Sequence, residues 1–548
     1  MGLFPDRAAG KPNIVADPQG RQWFEMMSSG KGSEAALQVI GAFSNGTFPK
    51  ALIYAPDTPA FKSTWLDTIE AAEENNDPGR FTAFIGYEWT AQGAHNIHRN
   101  VIYKDAGDGA RQSLPFTTGA PLGSPKETDL WKWMANYESR TGGDVLAIAH
   151  NGNVSNGLMF PLIQPFTDKP VDKIYAEARH KWEPIYEATQ MKGDGEAHPF
   201  LSPNDEFADF ETWDKGNLTM SEAKKPEMLE HEYARSGLKL GLKMENKFGV
   251  NPFKFGMIGS TDAHTGLAAV EENNFFGKVA PMEPSAERLT NVFVKDAKTG
   301  ITINDRDVVS SGYAAVWAQE NTRESIFEAM ERRETYATTG TRMAVRFFGG
   351  FDFTAADAQS RSPALAGYSK GVPMGGDLSA APETKVPTFL IAALKDPIGA
   401  NLDRYQIVKG WMDDKGETHE KVYDVVWSGD RKQGADGKVP AVGNTVDVAN
   451  ANWTNTIGSP ELIKVWKDPE FDPKQSAFYY GRVLEIPTPR WTTYDAKYYG
   501  LAVPTDVPSS IQERAYTSPI WYTPGKLSRP TPPSPLSPQR ACATECRR

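Results

Sequence analysis

The segment GSTDAHTG (259–266) follows the apolar run PFKFGMI. It sets an aspartate and a histidine two residues apart, among small and polar neighbours, where a buried strand should end. Carboxylate and imidazole are the donors that catalytic zinc, manganese and iron ions take. On an extended chain, residues i and i+2 point to the same side, so Asp262 and His264 are expected to share one centre. The chain has eight histidines. His150 in IAHNGN and His98 in NIHRNVIY also stand beside strand-like runs, and Glu88 closes another in GYEWT. A lone histidine after a strand is ordinarily a loop residue. Recurrence at four strand ends is more specific, and it gives Glu88, His98, His150, Asp262 and His264 as candidate metal ligands.

Further candidates surround these. Arg99 and Asn100 directly follow His98, Asn151 follows His150, and Arg342 lies in TTGTR. All are candidates to contact an anionic substrate, since guanidinium matches phosphate bidentately. A structural salt bridge is the competing role for the two arginines. His198 sits in KGDGEAHP with Lys192, Asp194 and Glu196. Lys192 is a candidate substrate contact. His198 is a candidate general acid or an outer partner of a ligand, with a solvated loop residue as the alternative. Asp262 is the candidate acceptor of a proton from attacking water. His95, His180, His231 and His419 are left out of the site.

These residues need elements to hold them. RFTAFIGYEWT (80–90), DVLAIAHNGN (144–153), EPIYEATQ (183–190) and FKFGMIGSTDAH (253–264) read as buried strands with polar residues at their C-terminal ends. Helical spacing appears in STWLDTIEAAEENND (63–77), with Ser63 or Thr64 as the cap, and in TDLWKWMANYESRTGG (128–143). MLEHEYARSGLKLGLKMENKFG (228–249) and NTRESIFEAMERRETYATTGTR (321–342) also contain helices. Strands alternating with helices argue for an α/β protein with a parallel sheet or barrel, whose chemistry lies at the C-terminal strand ends. Beyond about residue 345 short strand-like runs such as ETKVPTFLIAAL and SAFYYGRVLEI predict a β-rich region, a sandwich packed on the barrel. From about 524 the Pro-, Ser- and Arg-rich tail is expected to be disordered.

The chain of 548 residues carries a formal charge of -11, which excludes a whole-chain basic footprint for nucleic acid. Its only cysteines, Cys542 and Cys546, lie in the tail, so the body has no disulfide framework and no cysteine nucleophile. No apolar run reaches a membrane span, and MGLFPDRAAGKPN lacks the features of a signal peptide. A soluble protein is expected, cytoplasmic, or periplasmic if a signal peptide preceded this start. Nothing in the sequence sets an oligomeric state.

FIGYEWT…HNIHRNVIY, LAIAHNGNVSNGLMF, EATQMKGDGEAHPFLSPNDEFADFE, FGMIGSTDAHTG and RRETYATTGTRMAVRFFGGF together resemble the domain-of-unknown-function family 3604. That family is similar to the PHP (polymerase and histidinol phosphatase) metallohydrolases. The resemblance covers most of residues 1–523 and implies a distorted (β/α)7 barrel binding two or three divalent ions (Mn, Zn or Fe). Glu88 matches the Gly-x-Glu ligand, His98 the histidine after it, His150 the central histidine, and Asp262 with His264 the terminal D-x-H. PHP proteins open with H-x-H and a TDH-like motif, whereas here no histidine precedes His95. The expectation is therefore a chain lacking its first strands, with a tail foreign to the family. The resulting division is a PHP-like barrel over 1–344, a β-rich region over 345–523 and a tail over 524–548. The expected activity is metal-dependent hydrolysis of a small anionic ester, foremost a phosphoester. Amide, lactone or sulfate-ester hydrolysis and a non-catalytic fragment are the alternatives.

Overall fold

The computed structural model describes residues 12–525, apart from 45–46, 54–55, 57, 92–94, 120–122, 379 and 383. The predicted disordered tail, with Cys542 and Cys546, lies outside the described residues from 526 onward.

Each predicted strand of the first half forms, shorter than its apolar run. The strands are β1 (Ile85–Trp89), β2 (Arg99–Tyr103), β3 (Val145–Ala149), β4 (Ile185–Gln190), β5 (Gly193–Asp194) and β6 (Gly256–Gly259). They pair in the order β1-β2-β3-β4-β5, with β6 also on β4. β3, β4 and β6 are fully buried and run parallel as β3-β4-β6, as hydrophobic runs joined through helices should. The helices Lys173–Trp182 and Ala234–Phe248 make those crossovers. β1 is buried only at Ile85 and Trp89 and leaves Glu88 accessible, so it is not the wholly buried strand its composition suggests. The helix Pro59–Asn75 starts a turn before the expected cap. Thr58 accepts from the Phe61 N–H and Pro59 takes the first helical position, where no amide proton is needed.

Among the described residues this sheet is open and mixed, and no closed barrel forms. β1-β2 and β2-β3 are antiparallel, so that edge lacks the helical crossovers that wind a parallel barrel. The far side of β6 meets the next sheet through side-chain hydroxyls. Thr335 Oγ1 donates to the Met257 carbonyl (3.1 Å), and the Met257 N–H donates to Ser518 Oγ (3.0 Å). Gly259 permits this approach, since a Cβ there would lie 2.5 Å from the Thr338 carbonyl oxygen.

The chain is β-rich beyond residue 345, as expected, and four strands of this kind already precede that boundary. A hairpin of β7 (Val292–Lys295) and β8 (Thr302–Asn304) is followed by β9 (Tyr313–Val316), β10 (Thr335–Thr338), β11 (Ala344–Gly350) and β12 (Gly371–Pro373). Then come β13 (Asp377–Leu378), β14 (Thr388–Leu394), β15 (Leu402–Met412), β16 (Thr418–Trp427) and β17 (Glu461–Lys467). The last are β18 (Ala477–Glu485), β19 (Thr488–Pro489), β20 (Ser510–Ile511), β21 (Arg514–Thr517) and β22 (Ile520–Tyr522). β9, β10, β13, β15, β16, β18, β21 and β22 form one sheet, which draws strands from both sides of residue 344. β12-β11-β14-β17 form a second. The two sheets face each other across Phe347, Phe389, Ile391, Ile407, Tyr479 and Val483, with the Phe389 and Tyr479 rings 4.6 Å apart. The opposite face of the larger sheet packs Val408, Phe478 and Tyr480 against Leu238, Phe255 and Met257. A buried ionic group ties the same seam. Arg235 Nη2 lies 2.6 Å from Glu196 Oε1, and Arg482 Nη2 lies 2.6 Å from Asp205 Oδ1.

Candidate metal centre

Strand direction explains why distant residues meet. β1, β3, β4 and β6 run one way and β2 runs the other. The C-terminal ends of four strands and the N-terminal end of β2 therefore share one sheet edge. Glu88 near the end of β1, His98 just before β2 and His150 just after β3 all lie there. The β1-β2 register sets Asn100 directly opposite Glu88, so the two share a face. Alternation sends Arg99 to the other face.

Glu88, His98 and His150 place one donor atom each within 4.8 Å of one another. His98 Nδ1 is 2.8 Å from Glu88 Oε1. His150 Nε2 is 3.7 Å from Glu88 Oε1 and 3.7 Å from Asp262 Oδ2. The two imidazoles are stacked, with centroids 6.1 Å apart. Behind His150, Nδ1 approaches Glu187 Oε2 to 2.8 Å, at ion-pair distance but off the line of a good hydrogen bond. Glu187 is itself held by the Ser260 hydroxyl and by the Asn151 N–H at 2.9 Å.

Protonation suits metal ligation. Burial works against the Glu88 anion, but the His98 hydrogen bond and the nearby His150 and Lys192 charges hold its carboxyl well below the usual range. Burial pushes His98 down, against the pull of Glu88. An ionised Glu88 carboxylate and a neutral His98 imidazole suit a divalent ion. The carboxylate behind a histidine is the usual device for fixing a ligand ring. By donor chemistry, the three residues fit a divalent ion.

Asp262 reaches this edge by a route the spacing did not foresee. It lies beyond β6 in a loop, at φ +53°, so strand alternation does not align it with His264. The left-handed turn costs an aspartate less than most residues. His264 Nε2 contacts Asp262 Oδ1 at 3.1 Å. The other carboxylate oxygen takes Lys278 Nζ at 2.6 Å, the Lys192 ammonium, and Gln190 Nε2 at 3.1 Å. Burial lowers both lysines, Lys278 to about 8 against the pull of Glu88 and Glu187, and Lys192 well below its ordinary value with the Lys278 charge adding to the effect. Partial burial and these two ammonium groups push His264 down to about 4.

Other predicted residues stand elsewhere. Arg99 Nε lies 2.7 Å from Glu183 Oε1, inside the protein. His198 is tied to Asp214 Oδ2 at 3.1 Å and packs edge-on to Tyr233. Arg342 is exposed over the Tyr313 ring, and its N–H donates to Asp396 Oδ2 at 2.8 Å. None of these contacts is with the three-residue cluster. Asn151, at φ +51°, acts on Glu187 through its backbone. Sequence reading missed Glu187, Ser260, Gln190 and Lys278. Glu187 had a usable signal: a carboxylate inside a run that reads as wholly buried must find partners.

The family model described as "Protein of unknown function (DUF3604)" matches residues 1–524. The chain belongs to the DUF3604 family. The match takes in both halves of the fold and the whole Glu88–His98–His150 centre. No curated protein and no solved structure matches the chain. Its membership of DUF3604 thus comes without an activity attached. No helix among the described residues is long and apolar enough to cross a membrane.

Proposed function

We propose that this DUF3604 chain is a PHP-like metal-dependent hydrolase of small anionic esters, foremost phosphoesters. The observation that carries the reading is the convergence of Glu88, His98 and His150 within 4.8 Å, with Asp262 alongside. Candidate ligands gathered at one sheet edge, three of whose strands run parallel, support the PHP-like assignment.

Glu88, His98 and His150 would hold the ion, with Asp262 and His264 as the further ligands the D-x-H motif implies. A divalent ion there supplies Lewis acidity toward the ester and acidifies water. The chain's own groups do the rest. Glu187 fixes the His150 ring from behind. Asp262 Oδ1, next to His264 Nε2, is placed to take the proton of the attacking water. Lys192 and Lys278 supply positive charge for the substrate anion, and Asn100 lines the same face as Glu88.

The test is a panel of phospho-, sulfate- and carboxylic esters with the full chain supplied with Mn²⁺, Zn²⁺ or Fe²⁺. Phosphoester turnover that Glu88→Gln and His150→Ala each reduce by about a hundredfold or more supports the reading. Turnover confined to sulfate or carboxylic esters would redirect it to those substrates. Metal binding with no turnover at all would make the chain a metal-dependent binding protein.

A further inference from the structure

Both histidines of the centre stand just outside the strands, His98 before β2 and His150 after β3. Their backbones meet where the His150 N–H donates to the His98 carbonyl at 3.2 Å. A row of three buried asparagines joins the loops around them. The Asn96 amide donates to Asn151 Oδ1 at 3.4 Å, and the Asn151 amide donates to Asn153 Oδ1 at 2.6 Å. At one end Asn96 Oδ1 accepts the His98 N–H at 3.0 Å. At the other the Asn153 amide donates to the Lys192 carbonyl at 2.9 Å. The row therefore crosses the loop before β2, the loop after β3 and the β4–β5 turn. Each of the three side chains belongs to a residue at most 2% exposed.

The ends of the row fix its sense. A backbone N–H only donates and a backbone carbonyl only accepts, so each amide must accept on the His98 side and donate on the Lys192 side. Turning one over would set two donors or two acceptors against each other, which burial makes costly. Asn151 is the hub. Its backbone N–H also donates to Glu187 Oε2 at 2.9 Å, the carboxylate behind His150. Its φ of +51° is one that asparagine tolerates better than most residues, and it leaves the main chain on Glu187 and the side chain on the row.

We infer that Asn151 is a positioning residue of the centre: through Asn96, Glu187 and Asn153 it places His98, His150 and Lys192 relative to one another. This rests on the metal-centre reading. A donor set binds well only when its atoms are held close to one geometry. Here one residue reaches the supports of two candidate ligands and of the lysine assigned to the substrate anion.

The test is Asn151→Gly in the full chain. Glycine keeps the left-handed backbone and its N–H to Glu187, and removes only the side-chain bonds of the row. Asn156→Gly is the control. Asn156 lies in the same loop, is buried at φ +50°, and donates to the Glu222 carbonyl at 3.4 Å, outside the row. Mn²⁺ affinity is read by competition with a chelator, and a thermal melt shows that each variant is folded. Asn151→Gly should bind Mn²⁺ about tenfold more weakly or worse, and Asn156→Gly as wild type does. Wild-type affinity in Asn151→Gly, or an equal loss in both variants, would overturn the assignment and leave the metal centre standing. If Asn151→Gly does not fold, Asn153→Ala breaks the same row and takes its place. If the wild type binds no Mn²⁺, the metal-centre reading fails, and histidine-ring NMR decides the positioning. A His98 ring resonance that moves in Asn151→Gly and stays in Asn156→Gly supports it, because only the row carries the change to His98. A His98 resonance that stays in both, or moves in both, overturns it.

Discussion

Glu187 Oε2 stands 2.8 Å from His150 Nδ1, on the side away from Glu88 and Asp262. The carboxylate is buried and anchored by Ser260 and by the Asn151 amide, so it cannot swing aside without breaking both contacts. With Nδ1 beside Glu187, Nε2 is the imidazole nitrogen that faces Glu88 and Asp262. Glu187→Gln is predicted to lower Mn²⁺ or Zn²⁺ affinity by about 10–100-fold while the fold is kept. Competition against a chelator of known affinity measures this. An unchanged affinity would remove Glu187 from the centre.

Much of this arrangement could be read from the sequence, for identifiable reasons. β3 and β6 are continuous apolar runs bounded by polar residues, and such runs announce themselves. The candidate ligands Glu88, His98 and His150 stand beside strand ends. The direction of β2 could not be read, because an antiparallel neighbour and a parallel one have the same composition. The expected barrel is therefore an open mixed sheet. The alignment of Asp262 with His264 was expected from strand alternation, but it depends on a left-handed residue that spacing does not reveal. Arg99 follows a candidate ligand in sequence yet faces Glu183, since consecutive strand residues point opposite ways.

Lys278 is nearly buried, and its ammonium lies 2.6 Å from Asp262 Oδ2. Its proposed role is to receive the substrate's anionic group. Lys278→Met should weaken inorganic phosphate binding to the Mn²⁺-supplied chain by about tenfold or more, the usual worth of a charge-assisted hydrogen bond. It should not weaken Mn²⁺ binding, because the loss of a cation leaves Asp262 more negative. Calorimetric titration with phosphate and with Mn²⁺ reads both. Phosphate affinity equal to wild type would contradict the role.

Glu485 lies away from the centre, fully buried, with no cation paired to its carboxylate among the described residues. Burial, reinforced by the Asp396 charge, pushes its pKa up from 4.5 to about 8. The folded state thus keeps a proton that the unfolded chain releases. Its stabilising effect is complete below about pH 4.5 and is lost as the pH rises through about 8, at about 1.4 kcal/mol per pH unit. Glu485→Gln should match wild type near pH 5 and exceed it by several kcal/mol at pH 8. Urea unfolding at both values tests this, and parallel pH profiles would contradict it.

Bound metal is the quantity that decides most. The full chain, exposed to Mn²⁺ and Zn²⁺ and then dialysed, is analysed by inductively coupled plasma mass spectrometry beside a His98→Ala/His150→Ala variant shown to be folded by circular dichroism. The account predicts about one ion or more per wild-type chain and a loss of most of it in the variant. Equal metal in the two, or none in either, would contradict a metal centre at Glu88, His98 and His150.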